Sequence, residues 1–359
     1  MPEFLPSFLS FLSEPRLLVA AATLVIGVAF GALSESTQFC LLGGLRDTTE
    51  GQGRSRLAAF GAAALAAVAV TQALWALGYL NLQTSIYLTA LAALPAVAIG
   101  GFLFGVGAAM TRGCAGRLTV LAATGNLRAL VVIIVVGIAG YATMRGLFAP
   151  FRTEIESWAR PTAAQADVAT SIGLGESGRL VLALLAGAGA IALARIAGLA
   201  RGAAAVAIGA LIAVSWSASS ILGDDGFDKL APWSPSFINP LGNSLIYVLT
   251  YTGAKIDAGV TFLGGVLIGA FLSSLAGGRA KLASFENPRQ TVRYLGGGVL
   301  MGIGGVIAIG CSTGQGLSGL STLAPASIVA IAAIAAGMWA GVAYETRGAS
   351  APSGAPARA

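Results

Sequence analysis

Long apolar runs, separated by short polar or glycine-rich stretches, dominate this chain. Nine of them approach the roughly 20 residues that a helix needs to cross a bilayer. They fall at about 16–34, 57–79, 89–111, 127–148, 178–199, 203–222, 257–277, 293–310 and 326–345. The sixth is the weakest, because residues 215–220 are polar. A shorter apolar piece, 241–249, cannot span and is expected to re-enter the membrane or lie on its surface. Only Arg16 precedes the run at 17–33, Glu3 and Glu14 lie beside it, and no small-residue cleavage site follows. It predicts a retained first helix rather than a signal peptide. Residues 346–359 are rich in Ala, Pro, Gly and Ser and predict a disordered tail.

One apolar, glycine-rich run occurs twice. Residues 100–116 repeat as 297–313 at a constant offset of 197, which places Gly101 on Gly298, Gly105 on Gly302, Gly107 on Gly304, Gly113 on Gly310 and Cys114 on Cys311. A weaker echo sets Gly31-Ala32-Leu33 against Gly209-Ala210-Leu211, and the polar residues 34–39 against 215–220. Helices one to four then form a first unit (1–150) and helices six to nine a second (203–345), with a linker and single helix between them (151–202) and the tail at 346–359. The odd helix in between reverses the second unit across the membrane, a common transporter plan. The expected fold is an all-α polytopic membrane protein of about nine transmembrane helices plus short re-entrant half-helices, built as two inverted repeats.

Composition agrees with the pattern. Of 359 residues 56% are hydrophobic and 10% charged, with mean hydropathy +0.83. A soluble domain carries about 25% charged residues, so here the bilayer must be the solvent. The chain has no histidine and no C-x-x-C pair among its 3 cysteines, which argues against zinc, haem and thioredoxin-like sites. No metal and no cofactor are expected. The net charge of +6 reads as loop bias and an anionic substrate rather than nucleic acid. With nine spans, 7 of the 21 Lys and Arg lie on the N-terminal side and 14 on the other, while 10 of the 15 acids lie on the N-terminal side. The N-terminus is therefore expected outside and the C-terminus in the cytoplasm. No P-loop is present to supply ATP energy.

The candidate chemistry gathers after the cysteines. The stretches following Cys114 and Cys311 are too glycine-rich to span and too apolar for surface loops, so each is expected to be a re-entrant half-helix. The start of such a helix offers free N–H groups and a positive dipole end, which favour an anion. Gly113 and Gly310 allow a nest of N–H groups and close approach, and Ser312, Thr313 and Gln315 add neutral donors. Cys40 stands in a third candidate stretch, 36–45. Three thiols on one route, ordered Cys311, Cys114, Cys40 from outside to inside, suggest a substrate that itself presents sulfur, since a thiol is a weak, polarizable donor. Arg112 and Arg117 flank Cys114; each can attract an anion or anchor the span. The anchor reading suits Arg117 better, and Arg112 joins the candidate path. Arg46 carries the same ambiguity, and Glu35 reads as interfacial. Gly101, Gly105, Gly298, Gly187, Gly189, Gly264 and Gly265 read as helix packing.

At these residues the chain resembles the YeeE/YedE family of bacterial inner-membrane sulfur transport proteins. The resemblance spans nearly the whole chain. It rests on Gln38-Phe39-Cys40 with Gly43 and Arg46-Asp47, on Gly105 and Arg112-Gly113-Cys114-Ala115-Gly116, and on Gly302 and Gly310-Cys311-Ser312-Thr313-Gly314-Gln315-Gly316. The Trp216 region looks like the counterpart of the first cysteine segment. The resemblance implies an hourglass-like protein with a thin positive waist and short loops inserted from both sides. It implies uptake of thiosulfate, passed by transient S–H···S contacts from Cys311 at the outer mouth to Cys114 at the waist and Cys40 at the inner exit. It also implies a cytoplasmic TusA-like sulfur carrier as partner, and it includes branches for selenium and other sulfur species. The reading is thus a transporter and not an enzyme. An intramembrane thiol oxidoreductase and a structural subunit are the alternatives from other classes.

Overall fold

The computed structural model describes residues 15–89, 93–157, 167–224, 230–250, 256–285 and 287–350. Among them the regular structure is helical: α1 (Pro15–Thr37), α2 (Leu41–Thr49), α3 (Ser55–Ala76), α4 (Ile86–Thr89), α5 (Leu94–Thr111), α6 (Ala115–Ala123), α7 (Leu127–Arg145), α8 (Ala149–Ser157), α9 (Val168–Ser171), α10 (Glu176–Ala197), α11 (Leu199–Leu222), α12 (Ile238–Leu249), α13 (Ala258–Ala276), α14 (Pro288–Ile307) and α15 (Pro325–Ser350). A π-helical turn, Gly314–Gly319, lies between the last two.

The nine expected spans appear as the nine described helices of 18 residues or more. Eight of them are long and apolar enough to cross a membrane. The ninth, α14, has 20 residues but carries Arg289 and Arg293 in its first turns. Local chemistry explains the starts. Asn126, Asp257 and Asn287 cap α7, α13 and α14 through side-chain oxygens that accept from Ala129, Val260 and Gln290 N–H at 3.1, 2.8 and 2.8 Å. α5 begins at Leu94 rather than 89, with a proline in its first turn. Only Gly198, at φ 90°, separates α10 from α11, so the sixth span starts earlier than its polar end suggested. α15 runs on to Ser350, into the segment read as a tail; residues 351–359 lie outside the described residues.

Two sets of elements follow the same order of long, short, long, long, short, long: α1, α2, α3, α5, α6, α7 and then α11, α12, α13, α14, the turn after Cys311, α15. Between them, among the described residues, α10 is the one long helix, preceded by the short α8 and α9. The 197-residue offset carries the first residue of α2, Leu41, onto the first residue of α12, Ile238. The piece at 241–249 is thus part of the second set's short helix. Cys40 corresponds to Phe237, and not to the Trp216 region, which lies within α11.

The duplicated glycine runs pack against each other. A Cβ on Gly107 would stand 2.5 Å from the Gly297 carbonyl oxygen, and one on Gly297 2.8 Å from that of Gly107. A Cβ on Gly100 would stand 2.8 Å from the Gly304 oxygen, and one on Gly304 2.6 Å from that of Gly100. Gly100 and Gly297 are repeat equivalents, as are Gly107 and Gly304, so the two contacts exchange under the repeat. That is the mark of a two-fold axis. Position numbers rise on α5 as they fall on α14, so the helices are antiparallel and the axis is perpendicular to them. In spanning helices such an axis lies in the membrane plane, and the repeats are inverted. The outer partners obey the same symmetry: Gly101 packs on α15 near Ala330, and Gly298 packs on α7 near Val132 and Val135. Gly264 faces open space instead, while Gly265 meets α1 at Leu24, Gly27 and Val28.

Candidate functional site

Each cysteine stands at the start of a short helix. α1 ends where Gln38 turns left-handed at φ 55°, and Cys40 follows in extended conformation as the N-cap of α2. The Gly43 N–H donates to Cys40 Sγ at 3.5 Å. α5 ends on Arg112 at φ 57°, the Gly113 N–H returns to the Ala108 carbonyl at 3.0 Å, and Cys114 becomes the N-cap of α6. The second copy repeats this stop: Ile309 has φ 57°, and the Gly310 N–H returns to the Gly305 carbonyl at 2.8 Å. The Gly314 N–H then donates to Cys311 Sγ at 3.3 Å. The six-to-one bond is that of a Schellman stop, and it aims both cysteines alike.

The left-handed residue is the one before each glycine, not Gly113 or Gly310. The glycines are required by close approach. A Cβ on Gly113 would stand 3.1 Å from the Leu118 side chain, and one on Gly310 3.2 Å from that of Gln315. Residues 118 and 315 are themselves repeat equivalents.

A narrow constriction, with free space for no more than about one water, lies between these helix starts. Ser34, Cys40, Cys114, Arg117, Ser312 and Thr313 form its polar lining, and Phe30, Phe39, Leu41, Phe60 and Val120 its apolar wall. The Cys40, Cys114 and Ser312 side chains face the same narrow space. Cys311 is buried one residue before Ser312 but does not itself line the cavity. The structure therefore gathers Cys40, Cys114, Ser312 and Thr313. Gln315 is turned away: its Nε2 donates to the Ala308 carbonyl at 2.5 Å, and its buried Oε1 has no partner among the described residues.

The arginines change places relative to expectation. Arg112, the cap of α5, is exposed and lies off the cavity lining. Arg117, read as an anchor, lines it. The first turn of α6 is pinned, since a Cβ on Gly116 would stand 2.9 Å from the Phe237 ring. At the Cys40 end, Arg56 is held by Asp47 at 3.3 Å and by the Gln38 side chain at 2.9 Å. Arg46 and Arg293 both pair with Glu345. Glu35 is buried and takes two bonds from Arg279, at 2.9 and 2.7 Å, and one from Ser273 at 2.8 Å. It is a structural ion pair rather than a free interfacial group. The same carboxylate raises Arg279, which lies beyond the end of α13.

Hydroxyls surround the other end. The Ser234 hydroxyl donates to that of Ser318 at 2.9 Å. A Cβ on Gly314 would stand 2.8 Å from Ser236 Oγ and 3.2 Å from the Tyr87 hydroxyl. Behind the π turn, Trp216 Nε1 donates to Ser321 Oγ at 3.0 Å, and Gln72 Nε2 to the Ser321 carbonyl at 2.8 Å. Gln72 in turn accepts from buried Arg179 at 2.6 Å, and Arg179 pairs with Asp167 at 2.7 Å and lies over the Trp75 ring at 4.3 Å. Sequence reasoning missed Tyr87, this Gln72–Arg179–Asp167 chain and the placement of Arg117. Only the last had a readable signal: the third residue after the cysteine is glycine at Gly43 and Gly314 but arginine at Arg117.

The comparisons with known proteins fit this geometry. The family model described as sulphur transport matches twice, over residues 36–202 and 196–340, one match for each repeat. Over 256 residues the chain is 28% identical to the thiosulfate transporter TsuA of Spirochaeta thermophila, covering 67% of this chain and 74% of the relative. With a doubled match across both inverted repeats, this multi-pass membrane protein belongs to the sulphur-transport family, to which the YeeE/YedE resemblance pointed.

Proposed function

We propose that the chain carries thiosulfate, or a closely similar small sulfur-containing anion, along the line of its three half-helix starts. The observation that carries the reading is the meeting of Cys40, Cys114 and Ser312 at one constriction. The name of the Spirochaeta thermophila relative supports the choice of anion. Thiosulfate has two ends, a terminal sulfur and three oxygens. Thiols are weak donors suited to the sulfur, while helix-start N–H groups and the Ser312 and Thr313 hydroxyls suit the oxygens. The order Cys311, Cys114, Cys40 runs from the residue before Ser312 to the two cysteines that line the constriction with it. Transfer between such weak sites needs no covalent bond. Membership in a transporter family leaves the oxidoreductase alternative without support. A bacterial inner membrane, an outside N-terminus and a TusA-like carrier at the Cys40 end complete the reading, on the charge bias and the resemblance alone.

The test is uptake of radiolabelled thiosulfate by vesicles containing the full chain. Cys114→Ala removes the thiol that lines the constriction together with Cys40 and Ser312. It should lower uptake by roughly 2–10-fold or more, the worth of one lost hydrogen-bond donor at least. Cys40→Ala should act in the same direction. If vesicles with the chain take up no more than empty ones, the reading is wrong. If both variants match wild type, the thiol path is wrong.

A further inference from the structure

We propose that Arg117 is the cation that holds the oxygens of the passing anion at the constriction and so sets its specificity for an oxyanion bearing terminal sulfur. This rests on the transport reading and adds the residue that supplies the charge.

Three observations converge. Arg117 lines the same small cavity as Cys40 and Cys114. No side-chain hydrogen bond or ion pair joins its guanidinium to any described residue: the carboxylate whose field reaches it, Glu35, is already bound by Arg279 and Ser273, and the nearby Arg56 is paired with Asp47. A guanidinium at membrane depth without a counter-ion is costly and by default functional. Among the described residues no carboxylate is left to compensate it, and an anion entering the cavity would supply that charge.

The third observation is positional. The three cysteines start three half-helices, and two of these have glycine at the third position, Gly43 and Gly314. Glycine therefore satisfies this turn, and the fold does not call for arginine at 117. The flanking positions face fixed polar groups. A Cβ on Gly43 would stand 3.3 Å from the Arg56 guanidinium, and one on Gly314 3.2 Å from the Tyr87 hydroxyl. Only the central position brings its own charge. A guanidinium fork takes two oxygens of one anion side by side, which an ammonium cannot. With the oxygens on Arg117, the remaining sulfur faces Cys40 and Cys114. Sulfate lacks that sulfur and sulfide lacks those oxygens, so each loses one half of the recognition.

The experiment compares wild type, Arg117→Gln and Arg117→Lys, each full length, in two assays. In vesicle uptake of thiosulfate, Arg117→Gln should raise the half-saturating concentration about tenfold or more, and Arg117→Lys by less, because charge remains without the fork. In thermal unfolding of the solubilised protein, thiosulfate should raise the midpoint of wild type more than sulfate does at equal ionic strength, and should not raise that of Arg117→Gln. Without ligand, Arg117→Gln should be at least as stable as wild type, since it removes a half-buried charge without an ion-pair partner among the described residues. An unchanged half-saturating concentration, or an Arg117→Gln protein less stable than wild type, overturns the assignment while wild-type uptake leaves the transport reading standing. No uptake by wild type removes the transport reading and the assignment with it.

Discussion

At the scale of single residues, Arg179 and Arg117 show two treatments of charge, one fully paired and one without a side-chain hydrogen bond or ion pair to a described residue. Arg179 is the paired case. Its guanidinium binds Asp167, Gln72 and Thr170 at 2.6–2.8 Å and is 8% exposed. Removing one partner of a buried pair strands the other, at about 3–5 kcal/mol. Arg179→Met is expected to destabilise by that amount in denaturant unfolding of the solubilised protein. Replacing Asp167 by Asn in the same chain should recover part of it. Loss below about 1 kcal/mol would mean that water already screens the pair. Because Gln72 bridges Arg179 to the Ser321 carbonyl, the same substitution should also loosen the half-helix after Cys311. Arg179 was countable in the sequence only as one more cation on the N-terminal side. Its burial depends on Gln72, about 100 residues away, and no local pattern encodes that meeting. The cysteines were legible because duplication put two of them in equivalent frames. Arg117 was not, because charge bias treats every loop arginine alike, and only comparison of all three helix starts singles it out.

At the scale of elements, apolar run length was enough to find the long helices, because a bilayer demands that length whatever the packing. The breaks needed more. Both duplicated helices stop through a left-handed residue, Arg112 or Ile309, although a glycine stands next to each. The sequence invites the opposite assignment, because glycine is the usual left-handed residue. Here the glycine is used for contact with Leu118 or Gln315, so its neighbour must take the strained turn. A non-glycine residue in that conformation costs about 1–2 kcal/mol. Arg112→Gly is therefore expected to leave stability unchanged or raise it by up to about 1 kcal/mol. With its side chain exposed and off the cavity, thiosulfate uptake should stay at the wild-type rate. A tenfold loss of uptake in that variant would return Arg112 to the path. The short helix α12 was half legible. Its apolar piece was visible, but its role as the partner of α2 emerged only from Phe237 standing at the place of Cys40.

At the scale of the whole molecule, a symmetric frame carries an asymmetric passage. Equivalent positions hold Cys114 and Cys311, but Cys40 is answered by Phe237, Arg117 by Gly314 and Arg112 by Ile309. Of these residues Cys40, Cys114 and Arg117 line the constriction, all three from the first repeat. The frame itself makes a sharper demand, since glycines related by the two-fold should respond alike. A Cβ on Gly107 would meet the Gly297 oxygen at 2.5 Å and the Met301 nitrogen at 2.8 Å. One on Gly304, its equivalent, would meet the Phe104 nitrogen at 2.5 Å and the Gly100 oxygen at 2.6 Å. Backbone atoms cannot step aside as side chains do, so α5 and α14 must separate at both sites. Gly107→Ala and Gly304→Ala should each cost about 1–3 kcal/mol, the range for overpacking, and the two should agree within error. Gly264→Ala is the control: its Cβ enters open space in the middle of α13, where alanine is favoured over glycine by about 0.5–1 kcal/mol. Thermal unfolding of the three variants decides the matter. Matched losses at Gly107 and Gly304 beside a neutral or stabilised Gly264→Ala support the axis between α5 and α14. A large loss at one of the pair and none at the other would mean that the repeats share a sequence motif without sharing an interface.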